Sequence, residues 1–217
     1  KAENVTENGG ENTQEKRYFA KVLWGGLLKS RKSAALPGAK IYPPTLTNSD
    51  LANIKIAKEM GVTGVMQPFV RDHSDLERVK EALREAGAED IRLFAKIENM
   101  DGVRKLEKLL PAADEIVIAR GDLGNAVHLW DLPGVQRQIS EKCRAAGKPF
   151  MVVTQMLASM ERSPVPTRAE VNDIFHAVMD GAASIMVTGE TAVGDYPVEV
   201  IRYMVNTVRS AEKEENR

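Results

Sequence analysis

From about Leu36 onward, short apolar runs alternate with amphipathic stretches, and this alternation constrains the chain most. A helix is predicted over Ser49–Glu59, then a strand over Val62–Val70. Ser74 and Glu77 stand at capping-box spacing and open a helix to Ala86. The strand Ile91–Ile97 follows, then a helix near Gly102–Leu110 and the strand Glu115–Ala119. A helix over Leu132–Ala146 precedes the strand Phe150–Thr154. Thr167 and Glu170 form a second capping-box pattern, opening a helix to Met179. The strand Ser184–Thr188 and a helix from Pro197 to about Glu212 complete the pattern. Repeated βα units imply an α/β fold with a parallel sheet, because parallel strands need long crossovers and those crossovers are helices. Five units occupy about 180 residues, whereas a closed eight-fold barrel takes about 250. The sheet is therefore open or is part of a barrel, and periodicity alone does not choose.

The first 30 residues differ. Lys1–Arg17 is polar with a turn at Asn8–Asn12, Tyr18–Trp24 reads as a strand, and Gly25-Gly26 ends it. The basic, Pro/Gly-containing stretch Leu27–Lys40 reads as a linker into a second unit. Asn4-Val5-Thr6 fits a glycosylation acceptor, but nothing else points to secretion. The chain begins with Lys1 rather than Met, so we expect sequence upstream. With 30 basic and 31 acidic residues the net charge is −1, which argues against broad nucleic-acid binding. The single cysteine, Cys143, excludes an internal disulfide and suits a reducing compartment, so a cytoplasmic location is expected. No apolar run approaches the ~20 residues of a membrane helix, and no membrane partner is expected.

In α/β folds chemistry gathers at the carboxyl ends of strands. Those ends carry Lys96-Ile97-Glu98, Arg120-Gly121-Asp122, Thr154-Gln155 and Thr188-Gly189-Glu190-Thr191. Lys96 and Glu98 are two apart and share one strand face. Glu98 and Asp122, from adjacent strands, are of the type that holds a divalent cation such as Mg²⁺ while leaving positions for substrate and water. Lys96 beside them stays protonated and can neutralise an oxyanion or a phosphoryl group. Gly121 and Gly124 let backbone N–H groups approach an anion, and the Thr154 hydroxyl can bind a carboxylate or pass a proton. Each signal also has a structural explanation. Lys96–Glu98 can be a buried ion pair, Gly121–Gly124 a turn, Thr154 a strand residue and Glu190 a loop carboxylate. His73, His128 and His176 lack metal-ligand spacing. Cys143 reads as a packing residue, and Met151, Met156, Met160, Met179 and Met186 read as core. The recurrence on successive strand ends favours metal-assisted chemistry on a small anionic substrate.

Phe94–Asn99 and Ile118–Gly124 resemble two signature motifs of pyruvate kinase. Lys148-Pro149, Thr154–Leu157, Ser159-Met160, Pro166–Glu170, Asp180-Gly181, Gly189–Ala192 and Tyr196-Pro197 continue that pattern in order. Gly25-Gly26, Ser30–Lys32 and Leu36–Gly38 resemble the family's return from a small β domain into its barrel, and Phe69–Arg71 its next strand end. The resemblance implies the last five βα units of a TIM (β/α)8 barrel over 31–217, with 1–30 the end of a small inserted β domain. It implies phosphoryl transfer from phosphoenolpyruvate to ADP, giving pyruvate and ATP, the last step of glycolysis. Glu98 and Asp122 would be the Mg²⁺ (or Mn²⁺) ligands. Lys96 would neutralise the transferring group and the enolate. Ala119, Arg120, Gly121 and Asp122 would bind the substrate carboxylate through their backbone, with Thr154 alongside it near the proton path. A K⁺ ion would have its ligands outside this chain, a missing upstream barrel segment would complete the fold, and a homo-oligomer is expected. Three departures stand out: Ala35 for Asn, Pro68 for Ser, and Asn125–Trp130 in place of Val-Glu-Ile-Pro. The last puts details of nucleotide binding in question. Two other readings stay open: a related metal-dependent lyase or aldolase working through the pyruvate enolate, and a non-catalytic fragment that needs a partner segment.

Overall fold

A computed structural model describes residues 43–215, together with 21, 22, 25–27 and 30. All the elements below fall in the unit spanning 35–217. The expected strand Tyr18–Trp24, the Asn8–Asn12 turn and the Leu36–Gly38 segment lie wholly or mostly outside the described residues.

The elements, in order, are α1 (Asn48–Ala57), β1 (Gly64–Gln67), α2 (His73–Glu85), β2 (Arg92–Ile97), α3 (Met100–Arg104) and α4 (Leu106–Leu109). Then come β3 (Glu115–Ala119), α5 (Arg120–Ala126), α6 (Leu132–Ala145), β4 (Phe150–Val153), α7 (Arg168–Met179), β5 (Ser184–Met186), α8 (Gly189–Ala192) and α9 (Pro197–Glu215). The strands form one sheet in the order β1-β2-β3-β4-β5, and every pairing is parallel. That sequential order settles what periodicity left open. Crossovers between parallel strands are right-handed, so strands added always on the same side put every helix on one face. A doubly wound sheet would reverse direction and place helices on both faces. The described sheet is a sector of a βα barrel.

The packing agrees. Leu93, Ala95 and Ile97 of β2, Ile116 and Ile118 of β3, and Phe150 and Val152 of β4 join the large core with helix residues such as Leu76, Leu106, Ile139 and Ile174. The alternate positions Val117, Ala119 and Val153 form a separate small cluster with Phe94, Met151 and Met186 on the opposite face. Period-two alternation thus sends one set to the helices and the other to the barrel interior. All five residues of central β3 are buried, as a strand covered on both faces requires.

Several expectations need correction. Strand β1 ends at Gln67 rather than Val70, because Pro68 has no N–H for the ladder and Phe69 takes a left-handed φ of 51°. The cap of α2 is Asp72, whose carboxylate accepts the Ser74 N–H, and not a Ser74–Glu77 box. The helix expected over Gly102–Leu110 is broken at Lys105 into α3 and α4. Residues Gly121–Gly124, weighed as a turn, belong to α5. Met179 is substantially exposed rather than core, whereas Met156 and Met160 are buried. The Thr167–Glu170 box forms as read, and Thr47 with Asp50 makes a box that the reading missed. Cys143 is buried in the core, and burial pushes its thiol up to about 12.

Candidate active site

The parallel register brings all five carboxyl ends to one edge. Ile97 of β2 pairs with Ile118 of β3, and Ala119 with Val153 of β4. Glu98, the start of α5 and Thr154 are therefore neighbours, although up to 56 positions separate them in the chain.

Glu98 follows β2 with its side chain only 1% exposed, and Lys96 reaches it at 2.7 Å with 25% of its own side chain exposed. The second carboxylate oxygen accepts the Phe69 N–H at 2.7 Å. The left-handed turn at Phe69 aims that N–H, and the turn is braced from both sides. Val70 donates its N–H to the Lys96 carbonyl at 3.3 Å, and Asn99 donates its side-chain N–H to the Val70 carbonyl at 3.1 Å. One residue on, Arg71 forks onto buried Asp75 (2.6 and 3.0 Å), which also accepts the Arg71 N–H and the Thr45 hydroxyl. The ion pair that could be merely structural does form. A quarter of the Lys96 side-chain surface stays exposed beside that pair.

Asp122 lies exposed in the first turn of α5, where a carboxylate complements the helix dipole. Ala119 is buried at the end of β3. The Gly121 N–H donates to the Thr154 hydroxyl at 2.7 Å, so the β3 and β4 ends are tied together at the residues proposed to meet substrate. Thr154 and Gln155 follow β4 with φ of 78° and 54°. For a β-branched residue that conformation is an outlier. The Arg120 side chain donates to the Thr154 carbonyl and the Met156 sulfur and pairs with Asp173.

Glu190 is buried and accepts the Thr188 and Leu157 N–H groups at 2.7 and 3.2 Å. Burial alone would raise its pKa, but those hydrogen bonds outweigh it and hold the carboxyl below its ordinary value. Glu190 therefore staples two loops. Of the histidines, His73 lies beside Glu77, His128 stacks on Trp130 and His176 packs edge-on to Phe175. No group of three or more His, Cys, Asp or Glu gathers among the described residues. Glu98 and Asp122 are two hard-oxygen carboxylates at the ends of neighbouring strands. Such a set suits a cation that keeps most of its remaining positions for water and substrate oxygens.

Sequence reasoning missed Asp75, Asp173 and the Phe69 N–H. Arg71–Asp75 has i,i+4 spacing that could have flagged it. Asp173 stands 53 residues from its partner, and nothing in the spacing points to it.

A barrel-type βα sheet with a lysine, two carboxylates and a strained threonine at its strand ends defines a class. It is an α/β-barrel protein with charged and polar side chains gathered at its strand ends. The chain matches the family model described as "Pyruvate kinase, barrel domain" over residues 7–201, and it belongs to that family. It is 40% identical to the pyruvate kinase of Bacillus licheniformis over 202 residues, which cover 93% of this chain and 34% of that protein. Identity to the Geobacillus stearothermophilus pyruvate kinase is 42% over 183 residues (84% and 31%). To the Dictyostelium discoideum pyruvate kinase it is 42% over 185 residues (85% and 36%). The chain spans about a third of the length of these curated relatives. No described helix is long and apolar enough to cross a membrane.

Proposed function

We propose that the protein carrying this chain transfers the phosphoryl group of phosphoenolpyruvate to ADP, giving pyruvate and ATP. The observation that carries this reading is the Lys96–Glu98 pair at the β2 end, next to Asp122 and Thr154 on the following strand ends. In phosphoryl transfer the protein mainly positions groups and neutralises charge. The Lys96 ammonium, oriented by Glu98, would lie against the transferring group and then the enolate oxygen. The Thr154 hydroxyl accepts the Gly121 N–H, so its own proton is left to donate. That proton would go to the substrate carboxylate or along the path to the enolate carbon. The Ala119–Asp122 backbone would flank the carboxylate.

Glu98 and Asp122 would hold Mg²⁺ or Mn²⁺, which when bound supplies charge neutralisation at the phosphoryl and enolate oxygens. Glu98 already has two partners, but a carboxylate offers about four lone-pair directions, so a further ligand fits. We assign any K⁺ site to residues outside this chain. Residues 1–30 are read as the end of a small β domain and 31–217 as the later part of the barrel, in a cytoplasmic homo-oligomer. The relatives named above are pyruvate kinases, which favours this reading over an enolate lyase or aldolase.

The test is turnover of phosphoenolpyruvate and ADP by the complete protein, wild type against Lys96→Met and Asp122→Ala. Each variant should lose about 10³-fold or more. Near-normal turnover in either, with folding unchanged, would sink the assignment. Metal-dependent exchange of pyruvate methyl protons with no ADP-dependent activity would establish the lyase or aldolase reading instead.

A further inference from the structure

Strand β4 delivers Thr154 into a conformation that threonine avoids. At φ 78° its Cβ crowds the backbone, and such a residue persists only where its surroundings over-determine it. Both of its polar ends are held from one turn of α5. Its hydroxyl accepts the Gly121 N–H at 2.7 Å. Its carbonyl accepts two hydrogen bonds from the Arg120 guanidinium, at 2.7 and 3.2 Å.

The guanidinium is fixed in turn. Both Asp173 oxygens accept from its Nη1 at 2.8 and 2.7 Å, and Nη2 also reaches the Met156 sulfur at 2.8 Å. The Arg120 side chain is 11% exposed and that of Asp173 33%. A planar guanidinium fork can hold a carboxylate on one side and a carbonyl on the other without bending, and a lysine in its place could not.

We infer that Asp173, on α7, is a positioning residue for Thr154. It acts through Arg120, and the pair locks the strained peptide so that the Thr154 hydroxyl stays on the Gly121 N–H. The pair is then more than a link between helix and sheet. Asp173 sets the side of Arg120 that faces Thr154, and Arg120 grips the peptide whose rotation would carry the hydroxyl away. With Asp173 neutralised, the guanidinium loses its anchor and the Thr154 peptide relaxes toward ordinary extended or helical values. The catalytic consequence rests on the function proposed above, whereas the conformational one does not.

The experiment uses the complete protein with Asp173→Asn, Thr154→Ala and the double variant. The activity-free readout is hydrogen exchange at the Gly121 amide. In Asp173→Asn it should exchange about tenfold faster or more, while the β2 and β3 ladder amides keep wild-type protection. Unchanged Gly121 protection overturns the clamp. The second readout is turnover. Asp173→Asn should lower kcat about tenfold to a hundredfold, the scale of a misplaced group, with the phosphoenolpyruvate KM within about threefold. On the Thr154→Ala background the same substitution should cost less than about twofold, since the group it positions is already gone. Additive losses would show a general structural role and overturn the proposal. If Asp173→Asn does not fold, Arg120→Lys replaces it, keeping the charge and losing the fork, with the same expected results. A wild-type protein without phosphoenolpyruvate/ADP turnover would refute the proposed function, and the Gly121 exchange would still decide the clamp.

Discussion

Replacing Asp75 with asparagine removes the anchor of the loop that aims the Phe69 N–H at Glu98. In the folded protein Asp75 is almost wholly buried and takes hydrogen bonds from the Arg71 guanidinium, the Arg71 N–H and the Thr45 hydroxyl. Burial alone would raise its pKa. The hydrogen bonds from Arg71 and Thr45, with the guanidinium charge, outweigh that and hold it at about 2 against an ordinary 3.8. At 1.36 kcal/mol per pH unit, this gap corresponds to about 2 kcal/mol of folding stability. Because the folded pKa is the depressed one, that stability is complete above pH 3.8 and is lost as pH falls toward 2. About half of it, near 1 kcal/mol, is gone by pH 3. Asparagine does not titrate, and it leaves Arg71 without its carboxylate, which costs about 3 kcal/mol near neutrality. Urea unfolding of wild type and Asp75→Asn at pH 6 and pH 3 is the assay. The variant should be about 3 kcal/mol weaker at pH 6, and the gap should narrow by about 1 kcal/mol at pH 3. Stability curves that run parallel with pH would refute the linkage argument, whatever the size of the gap.

Two further outcomes follow from packing. A Cβ on Gly102 would lie 2.6 Å from the Val70 carbonyl oxygen, a backbone atom already bonded to Asn99. Gly102→Ala should therefore cost about 2–3 kcal/mol and lower Tm by roughly 5–10 °C, whereas Gly134→Ala, with open space around it, should be neutral or slightly stabilising. Equal Tm values for the two would defeat the steric reasoning. The Cys143 thiol, buried and pushed up to about 12, should resist iodoacetamide at pH 8 until the protein is unfolded. An adduct on the native protein by intact mass would show that the helix–sheet core opens readily.

Local pattern made five βα units legible because each strand and helix buries one face, and burial writes its period into the residues. The same alternation places Lys96, Glu98, Asp122 and Thr154 at or just past the ends of the strands read from the sequence. Boundaries failed where a single backbone group decided them. Pro68 without its N–H stopped β1, and Asp72 caps α2 by accepting the Ser74 N–H, ahead of the start expected at Ser74.

What the sequence by itself determined is the class of the fold and the row of residues on which chemistry can be built. What only the tertiary structure decided is how that row is held. Lys96 reaches Glu98 from two positions away, but the Glu98–Phe69 bond spans 29 positions, Gly121–Thr154 spans 33 and Arg120–Asp173 spans 53. Those separations carry no period, because they are set by which strand ends the barrel order makes neighbours. The left-handed turn at Thr154 belongs with them. Its local preference opposes that conformation, and only the contacts arriving from α5 and α7 make it the stable one.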